Sequence, residues 1–185
     1  MKKRARSFIV VFSLILLTFV ILEACSKKPI PTQQNSDLKK YLLTAGEMPD
    51  LNLISELKLG KDKISPNAVS GYTANFGNKV KNTSSLSYKS LSINLQAYNS
   101  AEDAKKDFSR DRLPKGIITN FQELRLNKPI GYESFTYFGG VFEQRKVHVL
   151  YRIENVVVQL SSVGVGTNET IRYARLMESK LKNKQ

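Results

Sequence analysis

The chain has 185 residues, with 29 Lys and Arg against 16 Asp and Glu for a formal net charge of +13, one histidine, one cysteine and no tryptophan. A single histidine excludes a His-based metal cluster, and a single cysteine excludes an intramolecular disulfide. The length provides for one ordinary domain with a substantial core in addition to a leader.

In chain order, Lys2, Lys3, Arg4 and Arg6 precede FIVVFSLILLTFVIL, a run of 15 residues interrupted only by Ser13 and Thr18. A basic start and a short apolar core read as an export signal. A bilayer core about 30 Å thick calls for roughly 20 apolar helical residues, and Glu23 closes this run short of that, so cleavage is expected rather than a permanent span. Leu22-Glu23-Ala24-Cys25 resembles the lipobox of bacterial lipoproteins, an aliphatic residue and two usually small residues before a cysteine. Leu22, Ala24 and Cys25 match it, and Glu23 stands at a position that is normally small or uncharged. The resemblance implies a signal peptide at residues 1–24, cut between Ala24 and Cys25. It further implies a diacylglyceryl group on the Cys25 sulfur and an acyl chain such as palmitate on its new amino group. Each buried methylene contributes about 0.8 kcal/mol, so two or three chains hold a protein firmly where one holds it marginally. An uncleaved signal anchor and a buried or spare thiol are the alternatives. In that family Ser26, rather than Asp, after the cysteine implies an outer-membrane destination in a cell that has one.

Residues 25–36 then comprise the acylated cysteine and a flexible tether. SKKPIPTQQNS has two prolines, no aromatic residue and almost nothing apolar, too little to offset its ordering entropy. Lys27 and Lys28 suit an anionic leaflet. Residues 37–185 are expected to form a single domain. Ser36 as N-cap with Leu38, Tyr41 and Leu42 at one-face spacing predicts a short helix ended by Gly46. The stretch EMPDLNLISELKLGKDKISPNAVSG, punctuated by Pro49, Gly60, Pro66 and Gly71, reads as irregular with one short strand. Gly71 to Phe76 reads as a strand, and GNKVKNTSS as a polar loop.

Farther on, Leu91, Ile93, Leu95 and Ala97 alternate with Ser92, Asn94 and Gln96, the pattern of a half-buried strand. Ser100 with Asp103 resembles a capping box, and Ala101, Ala104 and Phe108 form an apolar face, which predicts a helix to about Arg112 stopped by Pro114 and Gly116. ITNFQELRL reads as a strand before a turn at Asn127 to Gly131. YESFTYF, VFEQRKVHVLYRI and VVVQLSSV, parted by Gly139-Gly140 and Glu154-Asn155, predict a meander with two hairpin turns. Thr167 or Asn168 is the expected N-cap of a closing helix through Ile171, Ala174, Met177 and Leu181, with cations in its last turn. This order predicts an α+β domain with helices packed on one face of an antiparallel sheet. From about residue 86 to 185 the layout loosely resembles PsbP-like and extracellular sensor α+β domains of bacteria. Such a resemblance implies a fold and transfers no function.

Chemistry is sparse. His148 alternates with Val147 and Val149 and reads as a partly exposed strand histidine. It is also the one candidate base for a Ser-His-Asp triad, but no GxSxG nucleophile elbow accompanies it. Glu102, Asp103, Asp107 and Asp111 interleave with Lys105, Lys106, Arg110 and Arg112, the pattern of a solvated helix face. Gly164-Val165-Gly166-Thr167-Asn168 lacks a phosphate-loop pattern and reads as loop geometry. Asn82-Thr83-Ser84 and Asn168-Glu169-Thr170 match the glycosylation acceptor pattern and carry no weight in a bacterial lipoprotein.

From Cys25 onward 25 Lys and Arg face 15 Asp and Glu, a net charge of +10 that favours anionic partners. Tyr132, Phe135, Tyr137, Phe138, Phe142 and Tyr151 crowd the meander, mostly as core. Tyr132, Phe135, Tyr137, Phe142, His148 and Tyr151 are the candidate binding patch. The expectation is a lipid-anchored, non-enzymatic module for an envelope protein or an anionic envelope polymer, with no metal, cofactor or nucleic acid. The alternatives are a small envelope hydrolase or transferase and a structural role in a larger assembly.

Overall fold

The computed structural model describes residues 37–79, 88–110, 121–141 and 144–183. The leader, lipobox and tether, the polar loop beyond Lys79, Asp111 to Gly116 and Phe142 lie outside these residues.

Among the described residues seven strands form one sheet: β1 (Asn52–Leu59), β2 (Ala68–Lys79), β3 (Tyr88–Tyr98), β4 (Gln122–Glu123), β5 (Glu133–Val141), β6 (Gln144–Ile153) and β7 (Val156–Val163). Two α-helices among the described residues, α1 (Ala101–Arg110) and α2 (Thr167–Lys182), interrupt and close the order. The spatial order is β1-β2-β3-β7-β6-β5-β4 with every neighbouring pair antiparallel. The domain is of the α+β class with an antiparallel sheet, as its element order predicts.

Alternation decides which side chains enter the core. Leu91, Ile93, Leu95 and Ala97 of β3, Val156, Val158 and Leu160 of β7, and Val147, Val149, Tyr151 and Ile153 of β6 are all fully buried on one face. The α2 stripe of Tyr173, Ala174, Met177 and Leu181 covers them, joined by Leu38, Tyr41, Leu42, Met48 and Leu51 from the segment that leads into the sheet. Lys180 fastens that segment to α2, donating to the Leu42 carbonyl at 2.8 Å and pairing with Glu47 at 2.7 Å. Single-face packing describes this main layer. On the reverse face α1 adds a smaller one, in which Ala104 and Phe108 meet Tyr98, Leu150, Val157 and Phe135.

Several local expectations change. The predicted first helix is instead two 3-10 turns, Leu38–Tyr41 and Ala45–Glu47. Leu42 is extended, and Thr44 restarts the chain: its N–H donates to Glu47 at 2.6 Å in a capping box. The one short strand expected in the otherwise irregular stretch is the eight-residue edge strand β1, and β2 runs well past the expected Gly71 to Phe76. Among the described residues of ITNFQELRL, Gln122–Glu123 pairs as strand. Gly139 and Gly140 lie within β5, opposite Lys146 and Arg145, because the Phe138 to Val147 register carries the ladder past them. Gly166, not Thr167 or Asn168, is the N-cap of α2.

Asp107 is buried rather than solvated. It falls three residues after Ala104 and next to Phe108, so the helical period turns it toward the sheet, where Arg110 pairs with it at 3.0 Å and Asn67 donates to it at 3.3 Å.

Glu178 and His148 both contribute to the response to acid. Burial raises the Glu178 carboxyl, but hydrogen bonds from Lys182, the Gly131 N–H and Arg175 outweigh it and hold the pKa below the ordinary value. Burial, with the nearby Lys146 charge, holds His148 below its ordinary 6.5. In both cases the unfolded chain binds more protons just below the ordinary pKa, so stability rises with pH through that window. Stability is therefore expected to fall in two steps on acidification, first below about pH 6.5 and again below about pH 4.5. Urea titrations across pH check this: His148→Gln should remove the first step, and Glu178→Gln should shrink the second, of which Glu47 keeps a share because hydrogen bonds from Lys180 and Thr44 outweigh its burial and hold it below its ordinary value.

Candidate functional site

On the reverse face, beyond the reach of α1, the register lines up one polar row across all seven strands. Ser55 of β1 pairs with Asn75 of β2, Asn75 with Ser92 of β3, and Ser92 with Ser161 of β7. Ser161 then pairs with His148 of β6, His148 with Tyr137 of β5, and Tyr137 with Glu123 of β4. Thr73, Asn94 and Gln159 form a second polar row beside the first, which continues into Leu150 and Phe135 beneath α1. Directly opposed residues share a face, so these side chains make one field.

Within the field the Asn75 amide donates to Ser55 Oγ at 3.1 Å, and Thr73 Oγ1 donates to the Ile93 carbonyl at 3.2 Å. Ser161 Oγ lies 2.7 Å from His148 Nδ1, in a hydrogen bond whose donor is set by the imidazole tautomer. The edge of Phe121 meets the imidazole at 5.1 Å. Gln159 is exposed, most of the other members are half-buried, and Asn94 Oδ1 is buried with no hydrogen-bond partner among the described residues.

This arrangement offers hydroxyls, amides and a neutral imidazole to a ligand lying along the sheet. It is poorly suited to acyl transfer. Ser161 sits inside β7, which is paired on both sides, so the ladder takes the backbone N–H groups that an oxyanion would need beside the hydroxyl. Among the described residues no three His, Cys, Asp or Glu side chains converge as metal ligands.

The predicted patch residues are distributed over the fold. Tyr137 and His148 are direct cross-strand neighbours, and Phe135 lies one row away, stacked on Phe108 at 5.2 Å. Tyr132 is exposed at the start of β5, donating to Glu154 at 2.5 Å, which pushes its pKa up to about 12. Tyr151 points to the opposite face, fully buried, with its hydroxyl donating to the Ala174 carbonyl at 3.3 Å. Ser55, Asn75, Ser92, Asn94, Gln159, Ser161 and Glu123 were not singled out by sequence. Their signal was present in the polar members of the alternating strands, but only the strand order aligns them.

No protein-family model matches the chain, and no curated protein matches it. Among solved structures it is similar to the extracellular domain of PknH from Mycobacterium tuberculosis. That likeness covers 85% of this chain and 99% of the other, with 12% identity and a TM-score of 0.60. The two share a fold. A GTP binding regulator from Thermotoga maritima aligns at 15% identity over 78% of this chain and 87% of its own, with a TM-score of 0.39, too low to carry structural weight. Among the described residues no helix is long and apolar enough to cross a membrane.

Proposed function

We propose that this chain is an exported, lipid-anchored bacterial envelope protein. Its domain acts as a non-enzymatic binding module for an envelope protein or an anionic envelope polymer. The observation that carries the binding role is the polar row from Ser55 to Glu123. All seven strands contribute a hydrogen-bonding side chain to it, exposed at Ser55 and Glu123, half-buried at Asn75, Ser92, Ser161 and His148, and buried at Tyr137. The charge of +10 beyond Cys25 supports an anionic partner. The lipobox-like Leu22 to Cys25 supports the anchor, and the shared fold with an extracellular domain agrees with export.

The test is cross-linking in living cells, followed by mass spectrometry of the N-terminal peptide and of cross-linked neighbours from the membrane fraction. An acylated Cys25 peptide is expected, with neighbours cross-linked through the polar face. Gln159→Glu, an exposed change expected to alter stability by no more than about 0.5 kcal/mol, should reduce those cross-links severalfold by repelling an anionic partner. An unmodified N-terminus overturns the anchor, and cross-links indifferent to Gln159→Glu overturn the face. The hydrogen bond between His148 and Ser161 is the one observation favouring a small hydrolase. Turnover that disappears in His148→Gln would establish that reading instead.

A further inference from the structure

Among the described residues β1 is an edge strand, and its exposed side chains are those an edge in water ordinarily avoids. Leu53, Ile54 and Leu57 are 50%, 61% and 52% exposed, and Tyr88 of β3 is 44% exposed. These residues are gathered, not scattered. The register shift between Leu53 and Ser55 makes Ile54 the extra residue of a bulge, which swings it over Gly77 of β2. A Cβ on Gly77 would lie 2.7 Å from Ile54 Cδ1 and 3.2 Å from Tyr88 Oη, so the bare glycine backbone is what lets the two side chains flank it. Leu57, opposite Thr73, continues the cluster along the same face, and Leu53, opposite Phe76, carries it round the edge.

Exposed cations share this edge, Lys58 on the face opposite Leu57. Lys58, Lys61 and Lys63 are exposed on β1 and the turn that follows it. Lys39 pairs with Glu56 of β1, so the chain enters the domain at this same edge. Eleven residues separate Cys25 from Asp37, a span of at most about 40 Å. A lipid on Cys25 therefore keeps β1 within that distance of the leaflet, and the tether makes docking an intramolecular event that even weak affinity populates.

We infer that the β1 edge docks on an anionic lipid leaflet. Ile54, Leu57 and Tyr88 enter the headgroup region, and Lys58, Lys61 and Lys63 face lipid phosphates. The unpaired backbone groups of β1 stay at headgroup depth, where water satisfies them. The inference rests on the lipid anchor proposed above and adds to it an orientation: β1 toward the membrane, with the polar row running from Ser55 on that edge across the sheet to Glu123 of β4.

The chain contains no tryptophan, so Leu57→Trp places a single reporter in the patch, with Ile54→Trp as a second and Ser179→Trp on the exposed side of α2 as control. The acylated full-length mature protein is reconstituted in vesicles of phosphatidylcholine alone or with equimolar phosphatidylglycerol, and quenching by brominated acyl chains is read beside flotation. Both patch reporters should be quenched severalfold more than Ser179→Trp, and more strongly with phosphatidylglycerol. Each of Lys58→Glu, Lys61→Glu and Lys63→Glu should weaken docking about fivefold. Protein that floats without quenching of either reporter overturns the docking and leaves the anchor standing. Protein that neither carries an acylated Cys25 nor floats overturns both. A blue shift that depends on protein density and ignores bromination assigns β1 to a second copy of the chain and overturns lipid docking.

Discussion

Leu160→Ala is expected to lower the unfolding free energy by about 3–4 kcal/mol, a large share of what a domain of this size possesses. Leu160 lies in β7, the strand that joins the β1-β2-β3 half of the sheet to the β6-β5-β4 half. It faces Ile93 on one side and Val149 on the other, both fully buried, within the cluster that includes Met177 and Tyr173 of α2. Truncation removes apolar area and leaves a cavity between a paired sheet and a helix, where neither wall collapses freely. Urea titration should show a lower midpoint with an unchanged slope. Leu160→Met should cost less than about 1.5 kcal/mol. Leu57→Ala, on the exposed edge, should stay within about 0.5 kcal/mol, so a comparable loss at Leu57 and Leu160 would contradict the assigned core.

How much was legible in advance follows from how local each signal is. Leu91, Ile93, Leu95 and Ala97 alternate without interruption, and the structure buries all four while leaving Ser92, Asn94 and Gln96 half-exposed on the other face. Ser100 and Asp103 announce α1 through contacts three residues apart, and both hydrogen bonds form, the Asp103 N–H to Ser100 Oγ at 3.0 Å and the Ser100 hydroxyl to Asp103 at 2.7 Å. For β1 the sequence yields one short strand in an irregular stretch and not its place or length, because its aliphatic residues are largely exposed. Leu53, Ile54 and Leu57 are exposed, and a bulge breaks their alternation. Asp107 was misplaced for a related reason: charge alone suggests solvent, whereas the helical period and a partner at i+3 allow burial.

The candidate site was the least legible part. A polar residue on a strand ordinarily marks the solvent side, and nothing in Ser92 or Ser161 taken singly departs from that. The row exists because β7, last of the strands in the chain, inserts between β3 and β6 and brings Ser161 beside both Ser92 and His148. The aromatic cluster had the opposite fate. Tyr137 and Tyr151 are close in sequence space, yet the pleat sends one to the polar face and the other beneath α2. Proximity in sequence identified the strands, and pairing decided which of their side chains meet.

The second large effect is expected at Gly131, where alanine should cost at least about 3 kcal/mol. Gly131 has φ +67, a conformation unfavourable for a residue with a side chain, and a Cβ there would lie 2.4 Å from the Arg152 carbonyl oxygen. That oxygen is backbone of β6 and cannot swing aside. It also accepts the Tyr132 N–H at 2.9 Å, so any retreat breaks the bond that starts β5. The Gly131 N–H donates to Glu178 of α2 at 2.9 Å, and Arg152 pairs with Glu133 at 2.8 Å, so the displacement reaches both the helix and the strand pair. For a domain of about 150 residues, 1 kcal/mol shifts the thermal midpoint by roughly 2–4 °C, so Gly131→Ala should melt about 10 °C below the unaltered protein. Gly46→Ala is the matched control. It has no neighbour within 4 Å of the added carbon and no positive φ, and the restricted unfolded chain should raise its stability by about 0.4–1 kcal/mol. Equal melting of the two variants would mean that the loop from Lys128 to Tyr132 yields without strain, and that its tie to Glu178 is not what holds α2 over the sheet.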